Sequence, residues 1–243
     1  MPEVTDYSDL NLAVLRRIPP GSTVLDVGCG TGFMGGIIKK EKHCTVYGVD
    51  ADPTVLKLAA KRLDKVFVGD IENRKFTFPT KDFNVLLLCS VLEHVRDPHE
   101  VLPRLVKQLP KHAMVIICVP NIALWDMRLK LLFGQFNYTP SGLLDRTHLK
   151  FFTYKTARKW VEESGLKILK TDINPFFVRA FLPLIRRAYG SPDGTSRNFS
   201  NEKVLKSRPY AFYRKVIAPV EALAARIRKQ LFAIEFVFVA EKK

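Results

Sequence analysis

Only four cysteines occur in 243 residues, at Cys29, Cys44, Cys89 and Cys118. Their separations of 15, 45 and 29 residues match neither a paired metal-ligand pattern nor a dense disulfide framework. They read as reduced thiols in a cytoplasmic protein. No apolar run approaches the roughly 18 residues that a membrane span needs. The first ten residues, MPEVTDYSDL, are acidic and polar where an export signal would be basic and then apolar. The expectation is a chain neither exported by a standard signal nor membrane-spanning. Internal repeats are absent, and so is any run of His, Asp and Glu at metal-ligand spacing, so no metal is expected. Acidic residues are scarce, with 24 Asp+Glu against 39 Lys+Arg, a formal net charge of +15 and a sequence pI near 9.8.

What is present is a core. Apolar residues make up 47% of the chain and aromatics 11%, which excludes a disordered or collagen-like chain. The excess charge is uneven. Between positions 175 and 230 stand 12 basic and three acidic residues, a local net of +9. A basic block of this kind fits a polyanionic partner or a membrane surface, or a solvated face.

The first two-thirds alternates short apolar runs with helical patterns. Val24 to Val27, Thr45 to Val49, Lys65 to Val68, Phe83 to Cys89 and Met114 to Val119 read as strands. Gly35 to Lys40, Thr54 to Leu63 and Pro98 to Leu109 read as amphipathic helices between them. Strand, helix, strand at this spacing predicts a parallel sheet covered by helices on both faces. Leu166 to Thr171 and Ala233 to Ala240 complete it as a late pair. The division expected is a main domain over 1–174, a basic amphipathic insertion or lid over 175–230, and the sheet's last strand over 231–243. Asn121 to Thr153 carries Trp125, Phe133, Phe136, Tyr138, Phe151 and Phe152 among turn residues, the composition of an active-site cover.

The chemistry concentrates after the first strand, in Val24-Leu25-Asp26-Val27-Gly28-Cys29-Gly30-Thr31-Gly32. Glycines there let the backbone turn tightly and approach a ligand at the carboxyl edge of the sheet. The G-x-G-x-G spacing differs from the G-x-G-x-x-G of a pyrophosphate site, and Asp26 before it suits an amino group better than a phosphate. Asp50 ends the second strand, where a carboxylate can accept from a ribose diol. Gly69-Asp70-Ile71 follows the third, a polar and an apolar side chain where an adenine could be read. Asp26, Asp50 and Asp70 on one edge favour a cofactor with a positive centre and no phosphate.

These residues, with the LEHVRDP segment after the fourth strand, resemble the class I S-adenosylmethionine-dependent methyltransferases over about Leu10 to Lys170. The resemblance implies a Rossmann-like, doubly wound, seven-stranded and mostly parallel sheet. It implies S-adenosylmethionine over Gly28, Cys29, Gly30 and Gly32, ribose on Asp50 beside Ala51, adenine framed by Asp70 and Ile71, Asp26 at the amino group, and Cys89 among the cofactor-binding residues. The stretches VPNI, LFGQFNY and GLLDRTHLKFFT, within residues 119 to 153, look like a methyltransferase subfamily associated with bacterial surface-glycan assembly. They are more distantly similar to ubiquinone-biosynthesis O-methyltransferases.

On the acceptor side, His148 could take a proton from a hydroxyl or simply fix its loop. Arg146 could anchor an anionic acceptor or pair with Asp145 or Glu93. His94 ranks third, and Tyr7 and Trp125 could line the pocket or the core. The expected reaction is methyl transfer to an oxygen, less readily a nitrogen, of a small, glycan or lipid-linked acceptor. The basic insertion leaves three readings: an anionic inner-membrane surface, a lid, or nucleic acid. Nucleic acid is disfavoured, because Cys89-Ser90-Val91-Leu92-Glu93-His94 stands where a base-modifying enzyme would carry an Asp/Asn-Pro-Pro-aromatic motif. A non-catalytic scaffold is the remaining alternative.

Overall fold

The computed structural model describes residues 11–140, 142–175, 215 and 218–243. Tyr7 and most of the expected 175–230 insertion, with its membrane, lid and nucleic-acid readings, lie outside them.

Seven strands form one sheet: β1 (Thr23–Val27), β2 (Thr45–Asp50), β3 (Lys65–Val68), β4 (Val85–Cys89), β5 (Met114–Pro120), β6 (Leu166–Pro175) and β7 (Ala233–Lys242). Their order is β3-β2-β1-β4-β5-β7-β6. The five strands β1 to β5 pair in parallel, while β7 runs antiparallel to both β5 and β6. The late pair expected from the sequence therefore sits together at one side, longer than its apolar runs suggested, because β6 continues through Thr171 to Pro175 in register with Phe238 to Ala233.

Several helices start and pack for reasons legible in their sequence. The helices are α1 (Leu12–Arg17), α2 (Phe33–Lys42), α3 (Pro53–Ala59), α4 (Pro98–Lys107), α5 (Trp125–Leu132), α6 (Tyr154–Glu163), α7 (Ala218–Ile227) and α8 (Lys229–Phe232). Asp97 caps α4 by accepting from the amides of His99 and Glu100, each at 3.1 Å, ahead of Pro98 at the first helical position. Its buried residues Val101, Leu102, Leu105 and Val106 recur at helical spacing and face the sheet. Thr153 and Thr156 form a reciprocal capping box at α6. Trp160 of α6 stacks on Phe152, with ring centroids 4.9 Å apart, and donates its indole N–H to the Pro98 carbonyl at 3.2 Å. The start of α4 is thereby clamped to α6 through a satisfied buried polar group.

The core lies on both faces of the sheet. One cluster gathers Leu25, Leu86, Leu88, Leu102, Ile117, Trp160 and Phe238, and the other Val24, Ile38, Val46, Leu87, Ile116 and Val237. Neighbours within a strand, such as Leu86 and Leu87, thus serve opposite faces, which is why the central strands read as unbroken apolar runs. The segment between α5 and α6 is mixed. Phe152 is buried, but Leu132 and Phe133 are 76% and 74% exposed.

Phe238 has no exposed surface and is stacked against Tyr154. Phe238→Ala should cost about 3–5 kcal/mol of folding stability, read as a lower urea midpoint at unchanged slope.

Candidate functional site

Strand order reverses between β1 and β4. The chain leaves β1 toward β2 and β3 on one side and continues from β4 to β5 on the other, so the loops after β1 and β4 diverge and open a crevice. A cavity of about 590 Å³ occupies it, lined by Asp26, Gly28, Cys29 and Thr31 from the first loop and by Cys89, Ser90, Glu93 and His94 from the second, with His148, Asn11, Asn174 and Glu235 at its far end.

The loop geometry needs its glycines. Gly28 has φ +76°, and a Cβ there would lie 2.6 Å from a methyl of Val91. Gly32 has φ +72°, and a Cβ would come within 3.1 Å of both Ala59 and Leu63. The segment after β4 and the α3 to β3 connection thus close on the loop without side-chain clearance. Gly32 also gives α2 no side-chain cap. Across the crevice, Ser90 adopts φ +54° although it has a side chain, a strained conformation of the kind found at ligand sites.

The expected cofactor residues fall into two groups. Asp26, Gly28, Cys29 and Cys89 line the cavity. Gly30, Gly32, Asp50, Ala51, Asp70 and Ile71 do not. Gly30 and Gly32 remain in the loop before α2, and the other four stand at the ends of β2 and β3, where Ala51 and Asp70 are exposed and Ile71 is buried in the core. Asp50 ties the end of β2 to the loop: its Oδ2 accepts from the Gly30 amide at 2.8 Å and its Oδ1 from the Asp52 amide at 3.0 Å. The Gly69 amide donates to the Asp50 carbonyl at 2.9 Å, holding β3 to β2. Asp26 differs: it is 3% exposed, faces the cavity and receives no hydrogen bond from the described residues. Burial, and secondarily the Asp50 charge, push its carboxyl up to about 7.

Of the acceptor-side candidates, His148 and His94 meet. Their rings lie 4.8 Å apart, edge to face. Nδ1 of His148 faces the Leu143 carbonyl at 3.0 Å, and Nδ1 of His94 faces the Thr147 carbonyl at 3.1 Å and the Thr147 hydroxyl at 3.0 Å. A carbonyl only accepts, so each Nδ1 carries the proton, and neutral imidazoles present Nε2 lone pairs. Burial lowers the His148 pKa below its ordinary value, which keeps that lone pair free at neutral pH. The segment holding His148 is fastened from below: the Leu149 and Lys150 amides both donate to the Glu93 carbonyl, at 2.8 and 3.0 Å. Phe151, Phe136 and Tyr138 continue from His148 in a chain of edge-to-face contacts. Arg146 is exposed, lies off the cavity and pairs with neither Asp145 nor Glu93. Trp125 packs with Leu124, Met127 and Leu144 instead of lining the cavity.

Four residues at the cavity escaped the sequence reading: Asn11, Glu93, Asn174 and Glu235. Glu93 is 1% exposed, its Oε2 has no hydrogen-bond partner, and burial, with a smaller push from Glu235, raises its carboxyl to about 8. One ligand atom from each of Glu93, His94 and His148 lies within 4.8 Å of the others. That donor set could hold a divalent cation, and spacing along the chain does not reveal it, because 54 positions separate His94 from His148. The only signal for Glu93 was its place beside His94. The other three come from α1's cap and the late strand pair, which no local pattern connects.

Comparison with known proteins supplies the family. The model for a family described as "Methionine biosynthesis protein MetW" matches residues 8–173. The ubiquinone biosynthesis O-methyltransferase of Coxiella burnetii is 24% identical over 155 residues, covering 61% of this chain and 65% of the relative's length. Among solved structures, a S-adenosylmethionine-dependent methyltransferase from Thermotoga maritima superposes with TM-score 0.58 at 16% identity, covering 95% of this chain and 86% of that one. Phosphoethanolamine N-methyltransferase 2 of Haemonchus contortus, solved with S-adenosylmethionine, gives TM-score 0.56 at 15% identity over 95% of this chain and 51% of that one. At these identities the structures establish the fold.

Asp26 supplies a pH signature. A carboxyl raised in the folded state from about 4 favours the protonated form, so its contribution is fully present at low pH and is lost as pH rises from about 4 through 7. Asp26→Asn should match the wild type in stability near pH 4 and exceed it by about 2–4 kcal/mol at pH 8, measured by urea unfolding of the cofactor-free protein at both pH values.

Proposed function

The chain belongs to the MetW family, and from the site it carries we propose that it is a class I methyltransferase moving the methyl group of S-adenosylmethionine to an oxygen of a small, glycan or lipid-linked acceptor. The observation that carries this reading is the meeting, in one cavity at the β1/β4 crevice, of a glycine-lined loop with a buried carboxyl that takes no hydrogen bond from the described residues and a pair of imidazoles in edge-to-face contact.

The residues present fit the cofactor. Asp26 offers a buried carboxylate with no protein donor, suited to the amino group of the methionine part. The uncapped start of α2 suits its carboxylate. Asp50, at the end of β2, suits the ribose hydroxyls, and Asp70 and Ile71 stand at the next strand end for adenine. When bound, S-adenosylmethionine supplies a methyl group on a sulfonium, which needs an aligned nucleophile and little water.

The protein's own part in the reaction lies at the acceptor. His148 keeps an unprotonated Nε2 at neutral pH, because its Nδ1 proton is committed to the Leu143 carbonyl and burial disfavours the imidazolium. It can therefore receive the hydroxyl proton as the oxygen attacks. His94, held by Thr147, which in turn donates to Asp145 Oδ1 at 2.7 Å, keeps the second ring against the first.

Two variants separate the roles. Asp50→Ala should weaken S-adenosylmethionine binding by about 1–3 kcal/mol in calorimetry. His148→Gln should leave that affinity unchanged and slow methyl transfer by about 10²–10⁴-fold. Undiminished binding in the first variant or undiminished transfer in the second would overturn the corresponding assignment.

A further inference from the structure

The chain carries a net charge of +15, yet no lysine or arginine stands among the described residues lining the cavity. The lining instead holds three carboxyl groups, Asp26, Glu93 and Glu235, two asparagines, Asn11 and Asn174, and the two histidines. Arg146, the one cation that the sequence placed at the acceptor, is exposed and off the cavity.

The far end of the cavity is built around Glu235 at the start of β7. Its Oε2 accepts from Asn11 Nδ2 at 3.1 Å and from Asn174 Nδ2 at 2.9 Å. Asn11 is itself fixed, because its Oδ1 accepts from the Val14 amide at 3.0 Å as the cap of α1, and it is 7% exposed. Both donors converge on one carboxylate oxygen, and Oε1 takes no hydrogen bond from the described residues. A carboxylate held by two amides keeps its orientation and presents an acceptor of fixed direction. Beside it, Glu93 is buried, its Oε2 has no partner among the described residues, and burial raises its carboxyl to about 8, so at neutral pH it holds its proton. The free acceptor of fixed direction is therefore Oε1 of Glu235. An anionic ligand would meet the Glu235 carboxylate, whereas hydroxyl or amino hydrogens would satisfy its free oxygen.

We infer that the acceptor group entering this cavity carries no negative charge and presents hydroxyl or amino hydrogens, and that Glu235, oriented by Asn11 and Asn174, is the residue that selects it. This deepens the methyltransferase reading and rests on it. Phosphorylated and carboxylated acceptors are rejected at the pocket even though the protein's surface attracts them.

The test uses the full chain with methyl-labelled S-adenosylmethionine and the water-soluble and lipid extracts of the source cells, lipid-linked label being released by mild acid. Labelled products are then sorted by ion exchange at neutral pH. Label passing both exchangers identifies a hydroxyl acceptor, and label held by the cation exchanger identifies an amine. Either supports the inference, and label held by the anion exchanger overturns it. Glu235→Gln should lower incorporation at limiting extract by about tenfold or more, with the loss narrowing as extract is raised, while S-adenosylmethionine affinity is unchanged and Glu235→Asp recovers part of the activity. A Glu235→Gln variant that binds the cofactor and transfers at the wild-type rate removes Glu235 from the selection. If the wild type binds the cofactor but labels nothing in either extract, the methyltransferase reading itself fails, a result distinct from label on an anion.

Discussion

Parallel pairing of Val24–Asp26 with Val85–Leu87 fixes where this molecule can bind anything. Once β1 and β4 lie side by side and their connections run to opposite ends of the sheet, no helix can cross the gap between their carboxyl ends. The main-chain groups there must turn away sharply. Gly28 does so at positive φ against Val91, and Ser90 does so with a side chain attached. The same two loops supply Asp26, Cys29, Cys89 and Glu93 to the cavity. The later elements, α1's cap, the 143–148 segment and the late strand pair, close a crevice that strand order has already created.

Electrostatics gives that crevice its character. Asp26 and Glu93 are buried deeply enough to resist ionising at neutral pH, a cost that a globular core normally avoids. Two carboxyls held this way in one cavity are pockets of unmet demand for hydrogen-bond donors or positive charge. A ligand bearing an ammonium or sulfonium would restore their ionised forms, so binding and proton release are coupled. The net charge of +15 and the carboxyl-lined cavity therefore do different work. The first governs what approaches the protein, and the second governs what can enter it.

The strand series and the glycine loop were legible because both are local. Val24–Val27 and Met114–Val119 announce themselves by apolar runs, and Gly28-Cys29-Gly30-Thr31-Gly32 by spacing. The early part of the late pair was also visible, but Asp172 to Pro175 extends β6 without an apolar pattern, since its pairing with Phe236 and Glu235 decides it. The acceptor side was half legible. His148 and His94 were both named, yet nothing in the chain indicated that their rings would touch. Arg146 was named as well, but its direction, exposed and off the cavity, is not legible from its place beside a candidate base. Asn11, Asn174 and Glu235 could not have been found, since 224 positions separate the first from the last and only the sheet brings them together.

The late pair also explains how a long interruption is tolerated beside the site. Between Pro175, which ends β6, and Ala233, which begins β7, stand 57 residues. Closing such a loop costs little more than closing a short one, about 0.6 kcal/mol for each doubling of length. Against this, β7 is zipped between two partners, seven residues of β5 on one side and the length of β6 on the other. Asn121 completes the closure: wholly buried, it donates through Nδ2 to the carbonyls of Gln230 at 3.0 Å and Ala233 at 2.7 Å, and its amide donates to Ile234 at 2.8 Å. The returning chain is thus caught at the end of β5, just before Glu235, and the carboxylate that lines the cavity is placed by the strand's own re-entry into the sheet.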